Sequence, residues 1–186
     1  MLITSQLSGF YQGAEFVLPY YSAFTVNLGD ASSSNSPTSF TYVNKVLPAA
    51  ITRTGSFVKI RVKGPTSGSG VMTACYIGLS ATSGNAWNFA TTPVQILWDN
   101  GNASKTLDPN QTYTSDAATF SITGGQAISI ALQYSTGFRV SSTGAATSNF
   151  MQYSKASVTE AGTVSKGGNY KGKSKGFVTV TELLVA

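Results

Sequence analysis

The chain has 186 residues, 41% hydrophobic and 11% aromatic, enough for one domain with a real core and too apolar for a disordered chain. Only 10% of residues are charged, far below the roughly 25% of an ordinary soluble domain, so the surface must be polar but uncharged. The formal charge is +5, and histidine is absent; His-dependent triads, His-ligated zinc and His general bases are thereby excluded.

Residues 1–30 hold an aromatic run: Phe10, Tyr11, Phe16, Tyr20, Tyr21 and Phe24, broken by Gly9, Gly13 and Pro19. Two readings stand: first strands of the core, with Glu15 to Leu18 and Ala23 to Leu28 as strands, or an arm that docks on a neighbouring subunit. On the second reading the six aromatics are the particle or subunit interface. Gly29 to Ser39 is rich in turn formers without an apolar anchor, hence a loop. Phe40 to Val46 resumes a strand, and Pro48 ends it. Residues 1–50 are thus an aromatic-rich segment, followed by a core over 51–186, all within one domain.

The chain is organised around Phe57 to Tyr134. Phe57 to Lys63, Met72 to Leu79, Val94 to Trp98, Ala118 to Ile122 and Ala127 to Leu132 alternate apolar with small or polar residues, or form short β-branched runs. Gly, Pro, Asn or Asp closes each, the pattern of antiparallel strands with one buried face. The Gly-rich link Lys63 to Gly70 lacks a Gly-Lys-Ser/Thr ending and a following helix, so it is no phosphate cradle. Cys75 lies mid-strand, as a buried inert thiol does, and a single cysteine forms no intramolecular disulfide. Ser80 to Thr92 carries Trp87 and Phe89, which either tuck onto the sandwich edge or form a platform for a sugar ring. Asp99-Asn100-Gly101-Asn102 signals a hairpin, since Asn-Gly supplies the positive φ of a type I′ turn; as a calcium loop it lacks the required ligand spacing. Asp116 fits a turn or cap hydrogen bond.

Beyond Tyr134 the pattern loosens. Phe150 to Val158 reads as a strand. Glu160 to Gly176 is low in complexity, a flexible Gly/Lys loop by composition. It carries Lys166, Lys171, Lys173 and Lys175, the candidate contacts to an acidic polymer. Four lysines on one loop differ from a nucleic-acid binder, which spreads cations over a face among aromatics; nucleic acid is not the expected partner. Phe177 to Val185 is a final strand, as in a jelly-roll closure. The expected fold is all-β: an antiparallel two-sheet jelly-roll-like sandwich of roughly 8–10 strands, with an N-terminal arm and long loops. No paired carboxylates, metal cluster or cofactor motif stands out, so neither catalysis nor a cofactor is expected. No transmembrane run or signal sequence appears, so the expectation is cytoplasmic synthesis without membrane insertion.

The run from Arg53 to Leu132 resembles the ancillary β-sandwich (jelly-roll) domain of many tailed-bacteriophage virion proteins and of modules beside SGNH/GDSL-type hydrolases. The resemblance rests on Val58-Lys59-Ile60-Arg61-Val62, Ala74-Cys75-Tyr76-Ile77-Gly78, Trp87-Asn88-Phe89-Ala90-Thr91-Thr92-Pro93-Val94, Thr114-Ser115-Asp116 and Ile128-Ser129-Ile130. It covers a little under half of the chain. The hydrolase blocks are missing, so it implies the non-catalytic module: a virion structural protein, on capsid or tail as decoration or fibre. Its partners would be other virion proteins and copies of itself, with a trimer favoured by the symmetry of viral assemblies. The alternative is a carbohydrate-binding module for host cell-surface glycan, with Trp87 and Phe89 as its contacts.

Overall fold

The computed structural model describes residues 18–28, 31–34, 39–135, 139–142, 148–174 and 179–186. Those residues form fourteen strands, one 3-10 turn and no α-helix. The strands are β1 (Tyr21–Thr25), β2 (Ala31–Ser34), β3 (Ser39–Val46), β4 (Gly55–Lys63), β5 (Gly70–Leu79), β6 (Val94–Ile96) and β7 (Lys105–Leu107), then β8 (Thr112–Thr114), β9 (Ala118–Ile122), β10 (Ile128–Ser135), β11 (Arg139–Ser142), β12 (Phe150–Ala156), β13 (Lys171–Ser174) and β14 (Val180–Val185). The count exceeds the expected one because β2, β7, β8, β11 and β13 have only three or four residues each, too short to show alternation.

Every pairing is antiparallel. One sheet runs β1-β14-β4-β8, with β9 also on β4; the other runs β13-β12-β3-β10-β5-β6, with β7 also on β5. A two-stranded ribbon joins β11 to β2. The C-terminal strand β14 lies between β1 and β4, so the last residues close the sheet that the first described strand opens.

Period-two alternation builds the core. On β4, Val58, Ile60 and Val62 are fully buried. On β10, Ile128, Ile130, Leu132 and Tyr134 point the same way and meet them. Phe24, Val46, Cys75, Ile77, Trp98, Leu107, Leu183 and Val185 belong to the same inter-sheet cluster. Each such burial contributes roughly 1.5–3 kcal/mol. Two polar groups inside are paired: the Tyr134 hydroxyl and Thr179 Oγ1 lie 2.6 Å apart, and Ser141 donates to the Lys63 and Gly64 carbonyls, 2.9 Å each; the buried Trp98 indole N–H has no partner among the described residues.

The first described strand belongs to this sandwich. Phe24 is buried and tilts against Phe150 at 5.7 Å, so its ring packs with the core. The hairpin at Trp98 forms, closed by reciprocal bonds between Trp98 and Asn102 of 2.8 and 2.7 Å. Its loop holds three residues instead of two, with positive φ at Asp99, Asn100 and Gly101. Asp116 accepts from the Asn100 and Gly101 amides at 3.1 and 2.8 Å and clamps that strained turn.

Candidate functional site

β10 is buried on both faces. Its inward residues fill the core; Ser129, Ala131 and Gln133 face the other way and are buried too. A third layer covers them, made by the segments 80–92 and 157–170. Its apolar part is Val43, Ala131 and Tyr153 from the sheet with Phe89, Ala161 and Tyr170 above, joined by Tyr76, Ala86, Trp87 and Met151.

Small residues leave the depth for this layer. Gly78 bears the Phe89 ring, and a Cβ there would stand 2.7 Å from Phe89 Cδ1. Gly162 rests on Tyr76, where a Cβ would stand 2.7 Å from Cζ. Phe89 donates its amide to the Val164 carbonyl at 3.0 Å, and Lys166 donates its amide to Asn88 Oδ1 at 2.9 Å, so the two covering segments bind each other. Glu160 is anchored by Thr41 Oγ1, which accepts from its amide at 3.3 Å and donates to Gln133 Oε1 at 2.7 Å.

The layer corrects three expectations. Phe89 is only 2% exposed, and Trp87 stacks on Tyr170 at 5.4 Å and tilts on Tyr153 at 5.6 Å. Together they make no solvent-facing platform; the edge-packed alternative is the one realised. Lys166 is 2% exposed, its ammonium 3.7 Å from the Phe89 ring centroid and donating to the Thr163 carbonyl at 2.8 Å. It cannot contact a polymer from there. Burial lowers its pKa to about 8, with Glu160 pulling the other way. The described part of the Gly/Lys segment, 160–174, is packed cover followed by β13 and is not a flexible loop.

Lys171 is exposed on β13, an edge strand whose charge discourages pairing with a foreign sheet edge. Lys173 lies on the same strand, and Lys175 falls outside the described residues. The Tyr170 hydroxyl donates to Glu160 Oε2 at 3.0 Å, and burial raises its pKa. Cys75 is fully buried, its pKa raised by desolvation, as an inert thiol requires.

Of the N-terminal aromatics, Phe10, Tyr11 and Phe16 lie outside the described residues. Tyr21 is 54% exposed, with the Arg53 guanidinium 5.4 Å from its ring centroid. A cleft of about 320 Å³ runs between Leu18, Pro19, Tyr21, Arg53, Thr54 and Val185. A second of about 380 Å³ lies along β1, between Ser22 to Thr25 and Ala49, Ala50, Thr52 and Asn149. Both flank β1, the edge of its sheet.

Unlike the covered sheet, the five-stranded one has no covering layer on its outer face among the described residues. Phe57, Lys59, Arg61 and Lys63 alternate with the buried Val58, Ile60 and Val62 and therefore point away from the core. The Lys59 ammonium sits 4.7 Å from the Tyr20 ring centroid, and Arg61 pairs with Glu182. This row of cations went unread in the sequence, although its i, i+2, i+4 spacing is plain there.

Among the described residues no group of three His, Cys, Asp or Glu side chains could hold a metal ion, and no helix is long and apolar enough to cross a membrane. No protein-family model and no curated protein matches this chain.

Proposed function

We propose that this chain is a non-enzymatic structural protein of a bacteriophage particle, held there by protein–protein contacts at the β1 end of its sandwich. The observation that carries the reading is the difference between the two ends of the fold's surface. The chain's own third layer covers the middle of the seven-stranded sheet and leaves one exposed apolar side chain on β5, Val71. The β1 rim instead exposes Leu18 and Tyr21 beside two clefts, and among the described residues no second strand pairs with the outer edge of β1. Exposed apolar side chains rimmed by polar groups mark protein contact sites, and an edge strand is a ready template for a partner. The strand motifs between Arg53 and Leu132 support the virion assignment. Other virion proteins and copies of the same chain, with a trimer favoured, are the partners this role requires, and the virion is its location.

The test is incorporation into particles. Leu18→Asp combined with Tyr21→Ala leaves the inter-sheet core intact and should remove the protein from purified particles, scored by quantitative mass spectrometry, while the thermal transition is retained. Wild-type copy number in the variant, or absence of the unaltered chain from particles, overturns the reading. Turnover of ester or glycan substrates by the purified protein would overturn its non-enzymatic part.

A further inference from the structure

We propose that the open outer face of the five-stranded sheet binds single-stranded nucleic acid, with phosphates on Lys59, Arg61 and Lys63 and a base stacked on Phe57. This goes beyond the assembly reading and does not depend on it, since the β1 clefts and this face share none of those residues.

The sequence argued against nucleic acid because the lysines gather near the C-terminus. The fold reverses that argument. Lys166 is buried under the third layer, and Lys171 stands on the edge of the other sheet. What the five-stranded sheet presents instead is a row of three cations projecting from one strand. Across it, Glu182 is the single carboxylate on β14, and Arg61 engages it. No ion pair involves Lys59 or Lys63 among the described residues. Alternate residues of a strand stand about 6.6–6.8 Å apart, close to the phosphate repeat of an extended single strand.

The neighbouring positions suit that ligand too. Phe57 is 37% exposed at one end of the row, and the Tyr20 ring lies beside Lys59. Thr112 and Thr114 pair opposite Lys63 and Arg61, and Thr119 opposite Phe57, adding a hydroxyl-rich border. Aromatics that receive bases and cations that track a backbone are the two parts of a sequence-tolerant single-strand site, and an open antiparallel face is a surface on which RNA-binding sheets combine them. A duplex hides its bases, and this face offers no helix or ribbon to enter a groove. An acidic protein segment would satisfy the lysines but leave Phe57 without a role.

Fluorescence anisotropy with a labelled oligo-deoxythymidine tests this. With three phosphate contacts the logarithmic salt slope should be about −2, a loss of roughly twentyfold between 50 and 200 mM salt. Lys59→Gln with Lys63→Gln should flatten that slope to about −0.7. Phe57→Ala should weaken binding about tenfold at an unchanged slope, the size of one lost stack. Lys171→Gln, on the far sheet, should change nothing. The proposal is overturned by no binding at 50 mM salt, by equal or tighter binding of the matching duplex, or by loss on Lys171→Gln. It is equally overturned if heparin or poly-glutamate binds as well and Phe57→Ala has no effect, which would make the face a general anion surface. Because particle incorporation is scored separately, failure here leaves the assembly reading standing.

Discussion

The two hydrophobic clusters lie on opposite faces of one seven-stranded sheet and are made from opposite kinds of sequence. The inter-sheet cluster takes Ile128, Ile130, Leu132 and Tyr134 from β10, large residues at strict alternation. The outer cluster takes Ala131 from the same strand, flanked by Ser129 and Gln133, and obtains its bulk from rings supplied by loops: Trp87, Phe89 and Tyr170. Apolar alternation says only that one face of a strand is buried. Whether the other face is open is written in what occupies it. β10 and β5 show Ser129, Ala131 and Gly78, with Ser80 just past β5, short side chains that leave a depression. β4 shows Lys59, Arg61 and Lys63, long cations that remain half-exposed. The first face is covered, and the second has no covering layer among the described residues.

The largest effect that separates the clusters belongs to the core. Ile130→Ala should cost about 2–5 kcal/mol in urea unfolding, because its fully buried side chain faces the opposing sheet. A loss below about 1 kcal/mol would show that the inter-sheet core is not the main source of stability.

Gly78→Ala probes the outer layer. The added methyl meets Phe89, and a cost of about 1–3 kcal/mol is expected if the layer unfolds with the rest. Unchanged global stability with faster proteolysis within 157–170 would show instead that the layer opens on its own.

Asp116→Ala removes the acceptor for two turn amides at an exposed site. A loss of about 0.5–1.5 kcal/mol is expected. No loss would mean water satisfies those amides equally well.

The smallest effect, with the opposite sign, is Lys166→Met. Its ammonium titrates near 8 in the fold against 10.5 in water. Between those values the unfolded chain keeps a proton that the folded chain has released, so this residue's contribution to stability rises with pH across that window. Below about pH 8 the fold carries the buried charge at a cost. Lys166→Met should therefore be neutral or stabilising at pH 7 and should lack the relative gain from pH 8 to 10.5. Cys75, Tyr134 and Tyr170, raised by burial, oppose that gain in both proteins, so the difference between wild type and variant reports Lys166 together with its charged neighbour Glu160. Marked destabilisation at pH 7 would show that its contacts with Phe89 and Thr163 outweigh desolvation.

Much of the architecture was legible before any fold was in hand. Val58, Ile60 and Val62, the strand Ala118 to Ile122 and the hairpin at Asn100-Gly101 follow from period two and turn chemistry, which operate over a few residues. The absence of histidine closed whole classes of chemistry without a coordinate. The candidate site was less legible, because it depends on partners far apart in the chain. Glu160 is held by Thr41, Lys166 by Asn88, and β14 by both β1 and β4. A Gly- and Lys-rich stretch reads as loose when judged by its own composition, since nothing local opposes its conformational entropy. In the fold that entropy is offset by rings and by a depression built from Gly78, Ser129 and Ala131, residues distant in the chain, and only the tertiary arrangement brings them together.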